Sequence, residues 1–150
     1  MLNRLGAVFA SFHSHDVRYV VIGGIAAILH GVPRATFDLD ILIEATPANA
    51  GHLLDALREA GFGTAHLIEA EALLANEITV FNDRVRIDVQ TSTPGLVFED
   101  AWERRETRQY EGQPLYLASR QDVIASKRAA ARPKDLEDAR VLELGPQDEA

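Results

Sequence analysis

The sequence has no cysteine, which excludes disulfides and thiolate metal sites and fits an expected cytoplasmic setting. No apolar run approaches the ~20 residues of a membrane-spanning helix. The opening M-L-N-R-L-G-A-V-F-A-S-F carries neither a strong basic n-region nor a small-residue cleavage site, so it does not read as a secretory leader. Basic charge is also scarce. Fifteen Lys and Arg stand against 23 Asp and Glu, a net charge of −8. That balance argues against a chain that holds nucleic acid constitutively by releasing counterions. Only two basic residues are lysines, Lys127 and Lys134, so each is a question in itself.

What is present describes a soluble globular chain. Its 150 residues are 47% hydrophobic and 25% charged, enough to bury roughly two thirds of the unfolded surface in one domain. We expect a single domain over residues 1–146, with 147–150 as a disordered tail, and find no internal repeat or linker. Leu2, Leu5, Val8, Phe9 and Phe12 recur at helical spacing. Val17 to Ile22 is a β-rich apolar run, as in a strand buried on both faces. Gly23-Gly24 breaks that run. Ile25 to His30 reads as a short helix stopped by Gly31 and Pro33, and Phe37 to Ile43 as the next strand. Thr46-Pro47 is a helix start that runs to Gly61.

Leu67 to Ala75 reads as another helix. Glu77–Phe81 and Arg84–Gln90 form a hairpin about a two-residue turn at Asn82-Asp83, a register that sets Glu77 opposite Asp88. Leu96 to Glu103 reads as helical, and Thr107–Tyr110 with Pro114–Leu117 as a hairpin around Glu111-Gly112. Ser119 with Asp122 resembles a capping box, Pro133 interrupts or restarts the helix, and Leu136 to Leu144 ends at Gly145-Pro146. The expected class is α/β (α+β), a mixed sheet flanked by helices.

Side chains alternate across a strand, so Asp38 and Asp40 share one face and Phe37, Leu39, Ile41 and Ile43 the other. A divalent cation relieves the repulsion between such carboxylates, and Mg²⁺ favours oxygen ligands. A lone D-x-D is equally compatible with a solvated strand end. The alternation of Arg84-Val85-Arg86-Ile87-Asp88-Val89-Gln90 adds a third carboxylate, Asp88, on a polar face. Carboxylates of this kind clamp two metal ions in an in-line phosphoryl displacement, and Asp88 would also accept the proton of the attacking hydroxyl.

Gly23 and Gly24, after a strand and at a helix start, let backbone N–H groups approach phosphate, although Gly-Gly is more often a plain turn. Arg34 either meets phosphate, fixes Asp38 or is a surface arginine. Lys127 shares a helix face with Val123, Ile124, Ala130 and Ala131 and so points inward. An unpaired ammonium there is costly, which calls for an anion or for snorkelling to solvent. Asp135 and Asp138 share a helix face and either orient Lys127 or Arg132 or pair locally with Lys134. The histidines show no metal-ligand spacing, and His30 reads as a cap or packing residue.

The run G-G-I-A-A-I-L-H-G-V-P-R-A-T-F-D-L-D closely resembles the opening motif of the minimal nucleotidyltransferases of the DNA polymerase β superfamily. The group it resembles is that of the AbiEii-type toxin–antitoxin nucleotidyltransferases, and K-R-A-A-A-R-P-K-D-L-E-D-A resembles that group's C-terminal segment. The resemblance implies a nucleotidyltransferase fold, with Gly23, Gly24, Arg34 and Lys127 toward an NTP and Asp38, Asp40 and Asp88 as catalytic Mg²⁺ ligands. One departure is Gly24, where many members of the superfamily have a serine.

The implied activity is NMP transfer to a hydroxyl of an RNA, a protein or a small molecule. A toxin or antitoxin partner, or a second copy of the chain, would assist recognition, because no large C-terminal substrate domain follows. The competing expectation is a non-catalytic antitoxin or partner-binding module of the same fold.

Overall fold

The computed structural model describes residues 3–36 and 38–145. The expected tail and the side chains of Leu2 and Phe37 lie outside them. Helix α1 (Asn3–Ser14) buries Leu5, Val8, Phe9 and Phe12, the spacing that marks it as amphipathic. Strand β1 (Tyr19–Ile22) is buried at every residue, as a central strand covered on both faces must be.

Helix α2 (Gly23–Leu29) begins at the glycine pair itself rather than after it. Gly23 has φ +73, a left-handed conformation that turns the strand directly into the helix. Strand β2 (Asp38–Ile43) follows, with Leu39 and Ile41 fully buried and the two aspartates partly so. Helix α3 (Pro47–Glu59) has Thr46 as N-cap, its hydroxyl accepting from the Asn49 N–H at 3.2 Å.

Of the helix expected over Leu67 to Ala75, α4 (Ala70–Ala75) forms, while Leu67 is the last residue of a preceding 3-10 helix (Gly63–Leu67). Ile68 and Glu69 between them are extended and end the 3-10 helix before α4 starts. Strands β3 (Ile78–Asn82) and β4 (Arg86–Gln90) pair antiparallel, with Asn82 opposite Arg86. The turn therefore holds three residues, Asp83 to Val85, not two. That lengthening moves Val80, not Glu77, opposite Asp88. The odd shift also changes face, since side chains alternate with period two.

Helix α5 (Phe98–Glu103) leads to the hairpin of β5 (Glu106–Tyr110) and β6 (Gln113–Leu117). Its two-residue turn has positive φ at both Glu111 and Gly112, as a type I′ turn requires. Helix α6 (Arg120–Ala130) is capped by Ser119, whose hydroxyl accepts from the Asp122 N–H at 3.1 Å. The Asp122 carboxylate does not close the box, because Arg104 holds it at 2.8 and 3.1 Å. Ala131 turns left-handed, and α7 (Pro133–Leu144) restarts at the proline, which needs no N–H partner at a first helical position.

The six strands form one mixed sheet in the order β3-β4-β2-β1-β6-β5. β2 runs antiparallel to β1 and parallel to β4. Helices α2 and α6 pack together, and α6 packs on α7. This contact brings the C-terminal charged segment over the strand carrying the aspartates. Among the described residues no helix is long and apolar enough to cross a membrane.

Candidate active site

The parallel register of β2 on β4 sets Asp40 beside Asp88 and Asp38 beside Arg86. Asp38, Asp40 and Asp88 all line one cavity of about 230 Å³. The sequence alternation therefore placed the three carboxylates on the correct face. Burial, then the neighbouring Asp88 carboxylate that shares a hydrogen bond with it, push the Asp40 carboxyl up from 3.8 to about 7. Asp38 adds to this and Lys127 opposes it. The Arg86 guanidinium donates to Asp88 at 2.9 Å.

The raised value has a consequence for stability. The Asp40 contribution is complete below its unfolded value near 4 and is lost as pH rises through about 7. Metal-free protein is thus expected to lose melting temperature from this group as pH rises from about 4 to about 7, the interval between its unfolded and folded values. Asp40→Asn is expected to flatten the slope, and circular-dichroism melts across pH check it.

Gly23 and Gly24 line the same cavity. A Cβ on Gly23 would lie 2.4 Å from Asp40 Oδ2. Glycine at this position therefore clears space for the carboxylate as well as adopting φ +73. Gly23→Ala is expected to cost about 1–3 kcal/mol from the backbone alone, more with the clash, as a lower urea midpoint. At Gly24 a Cβ would meet Thr36 Cγ2 at 3.2 Å, so the serine common in the resembled superfamily would fit only if Thr36 gave way slightly.

Lys127 is 5% exposed. Its Nζ lies 3.2 Å from Asp135 Oδ1 and 3.0 Å from Asp138 Oδ2, both carboxylates being buried. Of the two ways to resolve an inward ammonium, the structure takes the anionic partner. Arg34 donates to Asp138 at 2.8 Å and Arg132 to Asp135 at 2.6 Å. Asp135 and Asp138 thus orient Lys127, Arg132 and Arg34, and the alternatives of Arg34 fixing Asp38 and of a local Lys134 pair are corrected. Burial alone would raise Asp135. Hydrogen bonds from Arg132 and Lys127 outweigh it, and its carboxyl sits below the usual range.

The five cations Arg34, Arg86, Lys127, Arg132 and Lys134 line the cavity with the three carboxylates. The Arg34 Nε is buried with no hydrogen-bond partner among the described residues. A second cavity of about 260 Å³ shares Asp40, Asp88 and Lys127 with the first and extends to Ile78, Gln90, Thr93 and Ser126. Arg86 was legible but unread, being two residues before Asp88 on the same strand face. His30 caps α2 and packs, its Nε2 2.8 Å from the Ala118 carbonyl, and burial lowers its pKa.

Among the described residues no three His, Asp or Glu side chains are arranged as ligands for one ion. The expected three-carboxylate clamp is therefore not preformed. The donor set still fits Mg²⁺, which is usually held by one or two carboxylates together with substrate phosphates. Asp40 and Asp88 are crowded enough to share a hydrogen bond, the situation that a divalent cation relieves.

Solved structures place this architecture among nucleotidyltransferase folds. A candidate nucleotidyltransferase (TM1012) from Thermotoga maritima matches with a TM-score of 0.57 at 15% identity, over 95% of this chain and 90% of that one. An antigenic nucleotidyltransferase-like protein from Paracoccidioides brasiliensis matches with a TM-score of 0.52 at 17% identity, over 93% and 72% respectively. At such identities the likeness is one of fold. No curated protein matches the chain. Residues 4–145 match the family described as "Nucleotidyltransferase of unknown function (DUF6036)", and the chain belongs to that family.

Proposed function

We propose that the protein is a Mg²⁺-dependent nucleotidyltransferase, moving NMP from an NTP to an acceptor hydroxyl with release of pyrophosphate. The observation that carries this reading is the register setting Asp40 beside Asp88 in a cavity that also presents five cations. Asp40 and Asp88, with Asp38, hold Mg²⁺, which when bound supplies charge neutralisation at the reacting phosphate.

Arg34, Arg86, Arg132 and Lys134 take the phosphate oxygens as charge-assisted donors. Gly23 and Gly24 leave their backbone open to the same ligand. Lys127 has three donors, two of them committed to Asp135 and Asp138, so one remains for phosphate. Asp88 takes the acceptor proton. The acceptor oxygen bonds the α-phosphorus as the bridge to the β-phosphate breaks, and pyrophosphate departs.

The acceptor is a hydroxyl of RNA, protein or a small molecule, in a cytoplasmic toxin–antitoxin setting of the AbiEii type. A cognate toxin or antitoxin, or a second copy of the chain, completes its recognition. A second reading, a non-catalytic antitoxin or partner-binding module, is favoured by one observation: Lys127 is already neutralised by two buried aspartates.

Incubation with each α-labelled NTP, Mg²⁺ and cell extract tests the first reading, with label expected in one macromolecular or small-molecule fraction. Absence of label, together with no Mg²⁺-dependent NTP binding by calorimetry, would favour the second.

A further inference from the structure

We propose that the second cavity is the acceptor site, and that it takes an uncharged hydroxyl, of a small alcohol or of a protein side chain, in preference to the end of a nucleic acid. The proposal rests on the transfer reading and narrows its acceptor. The two cavities meet at Gly23, Asp40, Asp88, Lys127 and Arg132. Beyond that seam they differ in charge. Only the cavity of about 230 Å³ reaches Arg34, Arg86 and Lys134, so the triphosphate lies there. The cavity of about 260 Å³ adds Ile22, Ile78, Gln90, Thr93, Ser126 and Ala130, with Asp135 as the one further charged residue among those described.

Geometry assigns this second cavity to the attacking group. In an in-line displacement the incoming oxygen and the departing pyrophosphate lie on opposite sides of the phosphorus. With the reacting phosphate at Asp40 and Asp88 and the pyrophosphate among Arg34, Arg86 and Lys134, the acceptor enters from the other cavity. Its hydroxyl proton passes to Asp88 and its oxygen bonds the α-phosphorus. The bridge to the β-phosphate breaks, and its electron pair leaves on pyrophosphate.

The walls select the class of acceptor. The two cations at the seam are partly neutralised from the acceptor side, Arg132 by Asp135 at 2.6 Å and Lys127 by Asp135 at 3.2 Å. Beyond them the lining holds no Lys or Arg among the described residues. A nucleic-acid end brings backbone phosphates close to its hydroxyl, and such phosphates are met by Lys and Arg. Here an amide and two hydroxyls stand instead. Gln90, Thr93 and Ser126 are half-buried, and their side chains make no hydrogen bond among the described residues. Their donors and acceptors remain for a neutral polar group. Ile78, paired opposite Gln90, and Ala130 supply the apolar part of the wall. Gly95 approaches α6 so closely that a Cβ would lie 2.8 Å from the Ala125 carbonyl, a contact that holds the Thr93 loop against the helix carrying Ser126.

The test is Ser126→Arg, with Thr93→Arg as a second variant on a different element in case the first misfolds. Each puts a bulky cation into the second cavity. The parent chain and both variants are titrated with Mg²⁺ and the preferred NTP by calorimetry, and incubated with the α-labelled NTP and cell extract. In the parent reaction the label is expected to resist ribonuclease. It should be released by protease if the acceptor is a protein side chain, or run as a new small product other than NMP if it is a free alcohol. In a folded variant labelling should fall at least ~10-fold while NTP affinity stays within about twofold, because the obstruction meets the acceptor and not the triphosphate. Ribonuclease-sensitive label would overturn the proposal. So would undiminished labelling in the variants, or an NTP affinity that falls with the labelling, which would make the cavity a nucleoside pocket. Absence of label from every fraction of the parent reaction would instead end the transfer reading, and the proposal with it.

Discussion

Asp40→Asn is expected to reduce nucleotidyl transfer at least ~100-fold, beyond the 10–100-fold typical for loss of a metal ligand's outer partner. Above pH 7 it should at the same time raise the melting temperature. The two effects have one cause. Burial first, and then the neighbouring carboxylates Asp88 and Asp38, push the Asp40 carboxyl up to about 7. The charged form suited to Mg²⁺ is thus the form that the empty fold disfavours, and an amide removes both the ligand and the repulsion.

Asp88→Asn should lose comparable activity and also raise the melting temperature above pH 7, because it removes the same repulsion on Asp40 while the Arg86 it releases is already 44% exposed. Transfer assays with Mg²⁺ and the preferred NTP, run beside melts at pH 8, read both quantities. A loss of activity accompanied by a lower melting temperature would point to damage to the fold rather than to the chemistry. Unchanged turnover in either variant would end the transfer reading.

The half of the site built from strand alternation was legible, because a period of two is a local property. Asp38 and Asp40 on one face, and Val85, Ile87 and Val89 buried beneath Asp88, follow from spacing alone. The hairpin register was not legible. A three-residue turn and a two-residue turn are both compatible with Asn82-Asp83-Arg84-Val85, and the difference moved Val80 into the place expected for Glu77.

Lys127 shows the same boundary. Its inward direction is helical periodicity, but the choice between a substrate anion and a protein carboxylate depends on how α7 packs on α6. Asp135 and Asp138 reach it because the chain restarts as a helix at Pro133. Gly23 was read for phosphate access. Its close approach to Asp40 comes from pairing between β1 and β2, which no local pattern encodes.

The paired variant Asp135→Asn with Asp138→Asn is expected to lose about 3–5 kcal/mol of stability, the usual cost of stranding a buried charge. Lys127 is 5% exposed and forms ion pairs with both of these carboxylates. Adding Lys127→Met to the pair should restore most of the loss, since a buried charge set replaced by apolar and amide groups is often close to neutral. Lys127→Met alone should cost less than the aspartate pair. Each aspartate then keeps an arginine, Asp135 with Arg132 and Asp138 with Arg34.

Urea midpoints of the four proteins complete the cycle. A triple variant no more stable than the double would show that the stabilisation does not run through Lys127. The cycle also separates structure from ligand binding. If the third Nζ donor serves phosphate, Lys127→Met weakens Mg²⁺-dependent NTP binding even though the fold tolerates it, and the triple variant stays weak despite its recovered stability. If Lys127 is only an internal counterion, NTP affinity follows stability instead, falling in the double variant and returning in the triple.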